Sequence, residues 1–211
     1  MSERLSVFLN AMARENTPFL EELEEEALKA GIPIIRKEMQ TYLRTLLAAI
    51  RPHRILEIGT AVGFSALFMC EYGPEGLRLD TIENYEKRIP IARRNFALAG
   101  RSAQINLIEG DAAAVLPRLS GEYDLIFMDG AKAQYPAYLP ELIRLLRKNG
   151  VLLSDNVLQE ENILESHYLV RRRDRTIYRR MREYLYTLTH HPLLETSILP
   201  IGDGAAFTVR I

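Results

Sequence analysis

The chain has 211 residues, 27 of them basic and 28 acidic; 47% are hydrophobic and 26% charged. That composition excludes disorder, a collagen-like fibre and a disulfide scaffold, and the length predicts one domain with a real core. No apolar run approaches the ~20 residues of a membrane span, and the opening MSERLSVFLNAMAREN is broken by charges, with no secretory core or cleavage site. The lone Cys70 cannot make an internal disulfide and fits a reducing compartment, so a cytoplasmic protein with no membrane partner is expected. A net charge of -1 leaves any nucleic-acid binding to a local patch.

The acidic stretch Glu21 to Ala30 predicts a helix, broken by Gly31, Ile32 and Pro33. A second helix is expected from Arg36 to Ile50, where Met39, Tyr42, Leu43, Leu46, Leu47 and Ile50 recur at helical spacing. Strands are expected at 54–58 (RILEI), 79–83 (LDTIE), 105–109 (INLIE), 124–129 (DLIFMD) and 151–155 (VLLSD). Helices are expected between them near 64–72, 86–99, 112–118 and 136–147. Near-continuous apolar strands alternating with helices predict a parallel sheet covered on both faces, and right-handed crossovers make it doubly wound. A long helix follows near 174–189, then two strand candidates, TSILP and AFTVRI, joined by Gly202-Asp203-Gly204. That turn predicts a hairpin and an antiparallel end to the sheet. The expected fold is α/β: a doubly wound, mostly parallel seven-stranded sheet with one antiparallel strand near the C-terminus. It forms a single domain over 1–211, with N-terminal helices over 1–50 and a core over 51–211.

Ligands of such sheets sit at the carboxyl ends of the strands. The first strand runs out in Glu57-Ile58-Gly59-Thr60-Ala61-Val62-Gly63-Phe64-Ser65, where glycine lets backbone approach a ligand closely. The segment lacks the G-x-G-x-x-G of a dinucleotide loop. Glu83 stands at the end of the second strand, where an acid accepts from both ribose hydroxyls. Asp111 and Ala112 follow the third strand, an acceptor beside a small residue that suits an adenine. The order E-x-G-x-x-x-G, acid, acid resembles the class I S-adenosylmethionine-dependent methyltransferases, which have a Rossmann-like fold. The resemblance implies that Glu57, Gly59, Thr60, Gly63 and Ser65 line S-adenosylmethionine and that Glu83 holds its ribose. It also implies that Asp111 and Ala112 lie near adenine and that Met39, on a covering helix, touches the cofactor.

Two later strands end in Asp129-Gly130-Ala131-Lys132 and Ser154-Asp155-Asn156. Adjacent parallel strands put Asp129, Asp155 and Asn156 at one edge of the sheet. Three oxygen donors, two of them anionic, suit magnesium, calcium or manganese and not zinc. A lysine is a poor base at neutral pH unless a nearby dication and partial burial ease its proton loss. Strand ends reading D-x-x-K and D-N behind a glycine loop resemble the metal-dependent O-methyltransferases of catechol and caffeoyl-coenzyme A, over about residues 36 to 211. The resemblance implies that Asp129, Asp155 and Asn156 bind Mg2+, which chelates two adjacent substrate oxygens. Lys132 takes the hydroxyl proton, and Asp129 and Lys132 are the catalytic pair, Asp129 also bordering the cofactor. Gly130 and Ala131 stand where animal catechol enzymes carry a bulky aromatic, which leaves room for a larger substrate.

The stretch Arg171 to Arg182, RRRDRTIYRRMR, holds seven arginines and one acid. On a helix, Ile177, Met181, Tyr184, Leu185 and Leu188 face the core, and Arg172, Arg175, Arg179 and Arg182 line another face. That face is either a phosphate contact or a solvated surface with carboxylate partners. DNVLQ, this stretch, THHPLLETSILPIGDG and DGAK resemble the bacterial tRNA 5-hydroxyuridine methyltransferases, which make 5-methoxyuridine at the wobble position. The resemblance implies a tRNA anticodon loop as substrate, the 5-hydroxyl and 4-carbonyl oxygens chelating one metal as a catechol does, with the arginines on the RNA. A small catechol-like or phenolic-coenzyme A substrate is the alternative, and a protein that binds S-adenosylmethionine without turnover is the third. Relatives are commonly dimers, so a homodimer is expected. His190 and His191 are expected at a surface turn and Cys70 in the core. Tyr135 and Tyr138 either wall a pocket, stack a base or pack a helix.

Overall fold

Three helices precede the first strand: α1 (Glu3–Met12), α2 (Pro18–Lys29) and α3 (Lys37–Ile50). Pro18 opens α2 at a position where its missing N–H has no helical partner to lose. Arg51, in the left-handed region at φ 45°, ends α3. Helix α1 has no counterpart among the expected helices. The rest of the chain alternates as expected: β1 (Arg54–Ile58), α4 (Phe64–Tyr72), β2 (Arg78–Glu83), α5 (Ile89–Leu98), β3 (Ile105–Glu109) and α6 (Ala112–Val115). It continues with β4 (Tyr123–Met128), α7 (Tyr135–Leu145), β5 (Leu146–Asp155), α8 (Arg175–His190), β6 (Leu194–Leu199) and β7 (Ala205–Arg210). The structure, a computed structural model, describes residues 3–158, 162–164 and 170–211. Gln159, the last residue of DNVLQ, lies outside the described residues.

The seven strands form one mixed sheet in the order β3-β2-β1-β4-β5-β7-β6, the fold class read from the sequence. The chain divides into two compact units, Met1–Asp111 and Ala112–Ile211. In the first, β2 pairs parallel with β1 and β3. Every residue of α4 from Phe64 to Cys70 is buried, as an all-round apolar helix requires. Burial pushes the Cys70 thiol up to about 12, so it packs as a small hydrophobe. The Arg44 guanidinium lies 3.7 Å from the centre of the Tyr72 ring and donates to Glu15 O and Asn16 Oδ1, fastening the segment between α1 and α2 onto α3.

In the second unit β4 and β5 run parallel, with Met128 opposite Ser154, so the next positions, Asp129 and Asp155, lie side by side. Strand β7 is antiparallel to both β5 and β6, which confirms the hairpin. Helix α8 buries Tyr178, Met181, Tyr184, Leu185 and Leu188. Ile177 is only half-buried, and Tyr178 takes the core position expected for it. Among the described residues no helix is long and apolar enough to cross a membrane.

Candidate functional site

The first unit carries the glycine loop. Gly59 (φ 98°), Ala61 (φ 48°) and Gly63 (φ 87°) all take left-handed backbone, so the chain reverses sharply between β1 and α4. The loop is pinned from below. Glu57 is fully buried; Ser65 Oγ donates to its Oε1 at 2.5 Å, and Thr81 Oγ1 donates to its Oε2 at 2.5 Å. Thr60 Oγ1 lies 2.5 Å from Thr81 Oγ1. Since Thr81 has already given its one proton to Glu57, Thr60 is the donor in that pair. Glu57, Thr60 and Ser65, expected beside a cofactor, are thus brought together through Thr81, which sequence reading did not single out. Asn95 is a second such residue: its Nδ2 donates to Val62 O at 2.8 Å.

Glu83 is buried at the end of β2 and accepts from three backbone N–H groups: Ala61 at 2.8 Å, Asn84 at 3.0 Å and Tyr85 at 2.9 Å. A carboxylate has about four acceptor directions, so roughly one remains for a hydroxyl. Gly110 donates to Glu83 O at 2.9 Å, and Asp111, just past β3, is exposed while Ala112 is buried. Met39 is buried on α3. The clefts of 480 and 450 Å3 in this unit open at the opposite, amino ends of the strands, around Arg78 and Gln104, away from the loop.

The second unit carries the acids. Asp129 follows β4, Asp155 ends β5, and Asn156 next to it takes left-handed backbone at φ 55°, which Asn tolerates. Asp155 Oδ1 accepts from the Asn156 N–H at 2.7 Å. Burial, then the Asp129 charge and, more weakly, Asp203, push the Asp155 carboxyl up to about 7, against the Asn156 bond and Lys132. Burial likewise raises Asp129, with Lys132 opposing. Lys132 begins a short 3-10 turn, Lys132–Gln134, and is half-buried. Among the described residues no group of three His, Cys, Asp or Glu side chains gathers as a metal cluster; the set here is two acids and an amide. A buried and a half-buried carboxylate on neighbouring strand ends, each disfavoured as an anion, with an amide next in sequence, fit a hard dication.

Tyr135 and Tyr138 are buried on α7, the helix-packing alternative for them. Arg175, Arg179 and Arg182 share one face of α8, while Arg172 precedes the helix; Arg175 Nε donates to Val170 O, and Arg182 Nη1 donates to Ile163 O and Tyr178 Oη. Arg179 and Arg182 are exposed, as are Arg171, Arg172 and Arg173. Those bonded guanidiniums hold chain, which a count of charges cannot reveal. His190 is exposed and stacks on Tyr186 at 4.0 Å.

Residues 10–211 match the family model described as O-methyltransferase. The chain belongs to the O-methyltransferase family. It is 34% identical to a catechol O-methyltransferase of Mycobacterium tuberculosis over 76% of this chain and 74% of that protein. It is 31% identical to one from Niastella koreensis over 66% of each, so it spans just under two thirds of that relative's length. The crystal structure of the S-adenosylhomocysteine-bound Podospora anserina methyltransferase PaMTH1 superposes with a TM-score of 0.89 at 26% identity, over 99% of this chain and 94% of that one.

Proposed function

We propose that this O-methyltransferase methylates one of two adjacent oxygens on a catechol-like or phenolic-coenzyme A substrate, within one methyltransferase domain. The observation that carries the reading is the side-by-side placement of Asp129 and Asp155 at neighbouring strand ends, with Asn156 and Lys132 next to them. The names of the catechol-methylating relatives point the same way. In this reading Asp129, Asp155 and Asn156 hold Mg2+, which supplies positive charge against a developing oxyanion. Lys132 accepts the substrate hydroxyl proton at Nζ. Gly59, Ala61 and Gly63 present backbone to S-adenosylmethionine, Glu83 accepts from its ribose, and Met39, Asp111 and Ala112 flank the rest. Glu57, Thr60 and Ser65 keep that loop in shape from beneath. Positioning and electrostatics then carry most of the rate.

A second reading, methylation of 5-hydroxyuridine at the tRNA wobble position, is favoured by one observation. Arg171, Arg172, Arg173 and Arg179 are each exposed on and just before α8. Such a group gives salt-sensitive, sequence-independent affinity for phosphates. Small Gly130 and Ala131 also leave space for a base.

One experiment separates the readings. The protein, with labelled S-adenosylmethionine and Mg2+, is offered catechol, caffeoyl-coenzyme A and tRNA bearing 5-hydroxyuridine, with and without chelator, and products are resolved by mass spectrometry. Label on a phenol, lost on chelation, supports the first reading. Label on the tRNA nucleoside alone, lost after Arg171, Arg172, Arg173 and Arg179 are changed to Ala, replaces it with the second.

A further inference from the structure

Tyr135 opens α7 and is fully buried. Its hydroxyl lies 3.1 Å from Met128 O and 3.3 Å from Asp155 O, and it donates toward both. A phenol carries one proton, so a single hydroxyl is shared between two peptide carbonyls. Met128 immediately precedes Asp129, and the other carbonyl belongs to Asp155 itself. The ring cannot swing away. Tyr184 of α8 meets it edge-on, centroids 5.4 Å apart at 71°, and the Tyr184 hydroxyl is 2.6 Å from Ser154 Oγ, one residue before Asp155. Burial first, then the charge of Asp129, keeps the phenol protonated.

We propose that Tyr135 is a positioning residue for divalent-cation binding: it braces the main chain at both acids so that their repulsion cannot be relieved by the strand ends parting. The inference rests on the dication reading of Asp129, Asp155 and Asn156 and adds a residue to it. Once both carboxyls are ionised with no cation between them, they push the neighbouring strand ends apart. A brace on the backbone, rather than on the carboxylates, leaves their oxygens free for the ion while fixing their spacing. Outer partners of this kind set ligand geometry, and losing one typically weakens metal affinity by about 10–100-fold.

The test is calorimetric titration of Mn2+ alone into the full chain. Tyr135→Phe keeps the ring and its contact with Tyr184 but loses the proton and the acceptor. Affinity about tenfold weaker than wild type, with native circular dichroism, is the expected result. Tyr184→Phe loses a buried hydroxyl contact behind the brace, so it reports the cost of a purely structural lesion, and its affinity is expected to stay within about twofold of wild type. A Tyr135→Phe affinity equal to wild type overturns the proposal, as does an equal loss in Tyr184→Phe. If Tyr135→Phe does not fold, exchange of the Tyr135 hydroxyl proton in the wild type, followed by NMR, decides. A slowly exchanging hydroxyl proton supports the brace, and one lost at the rate of an open hydroxyl refutes it. Wild-type protein that takes up no Mn2+ while that proton is protected overturns the metal reading and the proposed role, and leaves the brace as packing.

Discussion

Gly63→Ala puts a methyl group where the loop turns into α4. Gly63 holds φ at 87°, and a Cβ there would stand 2.4 Å from Phe96 Cε1 and 2.9 Å from Phe96 Cζ. Left-handed backbone costs a residue with a Cβ about 1–2 kcal/mol. Forcing a methyl into packed surroundings adds about 1–3 kcal/mol. The expected loss of stability is therefore about 2–5 kcal/mol, and each kcal/mol moves the melting temperature of a chain this size by about 2–4 °C. The two contributions separate in a double-mutant cycle with Phe96→Leu, which opens space but leaves φ unchanged. Urea unfolding of the four proteins should give a coupling of about 1–3 kcal/mol in favour of the pair, with the left-handed cost of about 1–2 kcal/mol persisting. Gly63→Ala costing under about 0.5 kcal/mol, or strict additivity with Phe96→Leu, would refute this account of the loop.

Lys132→Ala should lower kcat by about 10²–10⁴-fold, the usual weight of a positioned base, while calorimetry shows S-adenosylhomocysteine bound as in wild type; undiminished turnover would remove Lys132 from the chemistry. Thr81→Val strips a donor from buried Glu57 and an acceptor from Thr60; about 1–3 kcal/mol of stability should go with them, with Thr81→Ser restoring most of it in denaturant titrations. Asp155 has a carboxyl raised to about 7 when folded, against about 3.9 unfolded, so the folded state holds that proton more tightly. Its contribution is full below about pH 4 and is lost as pH rises to about 7. The metal-free protein should lose stability over that window in urea midpoints, Asp155→Asn should flatten the fall, and Mg2+ at pH 8 should recover it; an unchanged slope in Asp155→Asn counts against the coupling.

The strands were legible because each is a short apolar run with turn residues on both sides, and parallel strands buried on both faces need nothing subtler. Helix α1 was not legible: its apolar residues Val7, Phe8 and Met12 remain exposed, so no burial pattern marks it. Tyr178 and Ile177 are neighbours on one helix boundary, and only packing decides which turns inward. The acids at strand ends could be read because position along a strand fixes where a residue emerges. What holds them could not. Thr81 meets Glu57 across 24 residues, and Tyr135 meets Asp155 across 20, distances that no local spacing encodes. Arg175 and Arg182 look like free charge in the sequence, while the folded chain uses each on a backbone carbonyl.

Strand β7 lies between β5 and β6 although it is made after both. During synthesis the edge of β5, whose last residue is Asp155, therefore stays open while β6 emerges, and it must decline β6 as a neighbour until β7 arrives. An open edge of this kind is a template for the wrong partner, within the chain or from another nascent chain. Slow or truncated translation through 200–210 should thus yield insoluble protein rather than a soluble, inactive one.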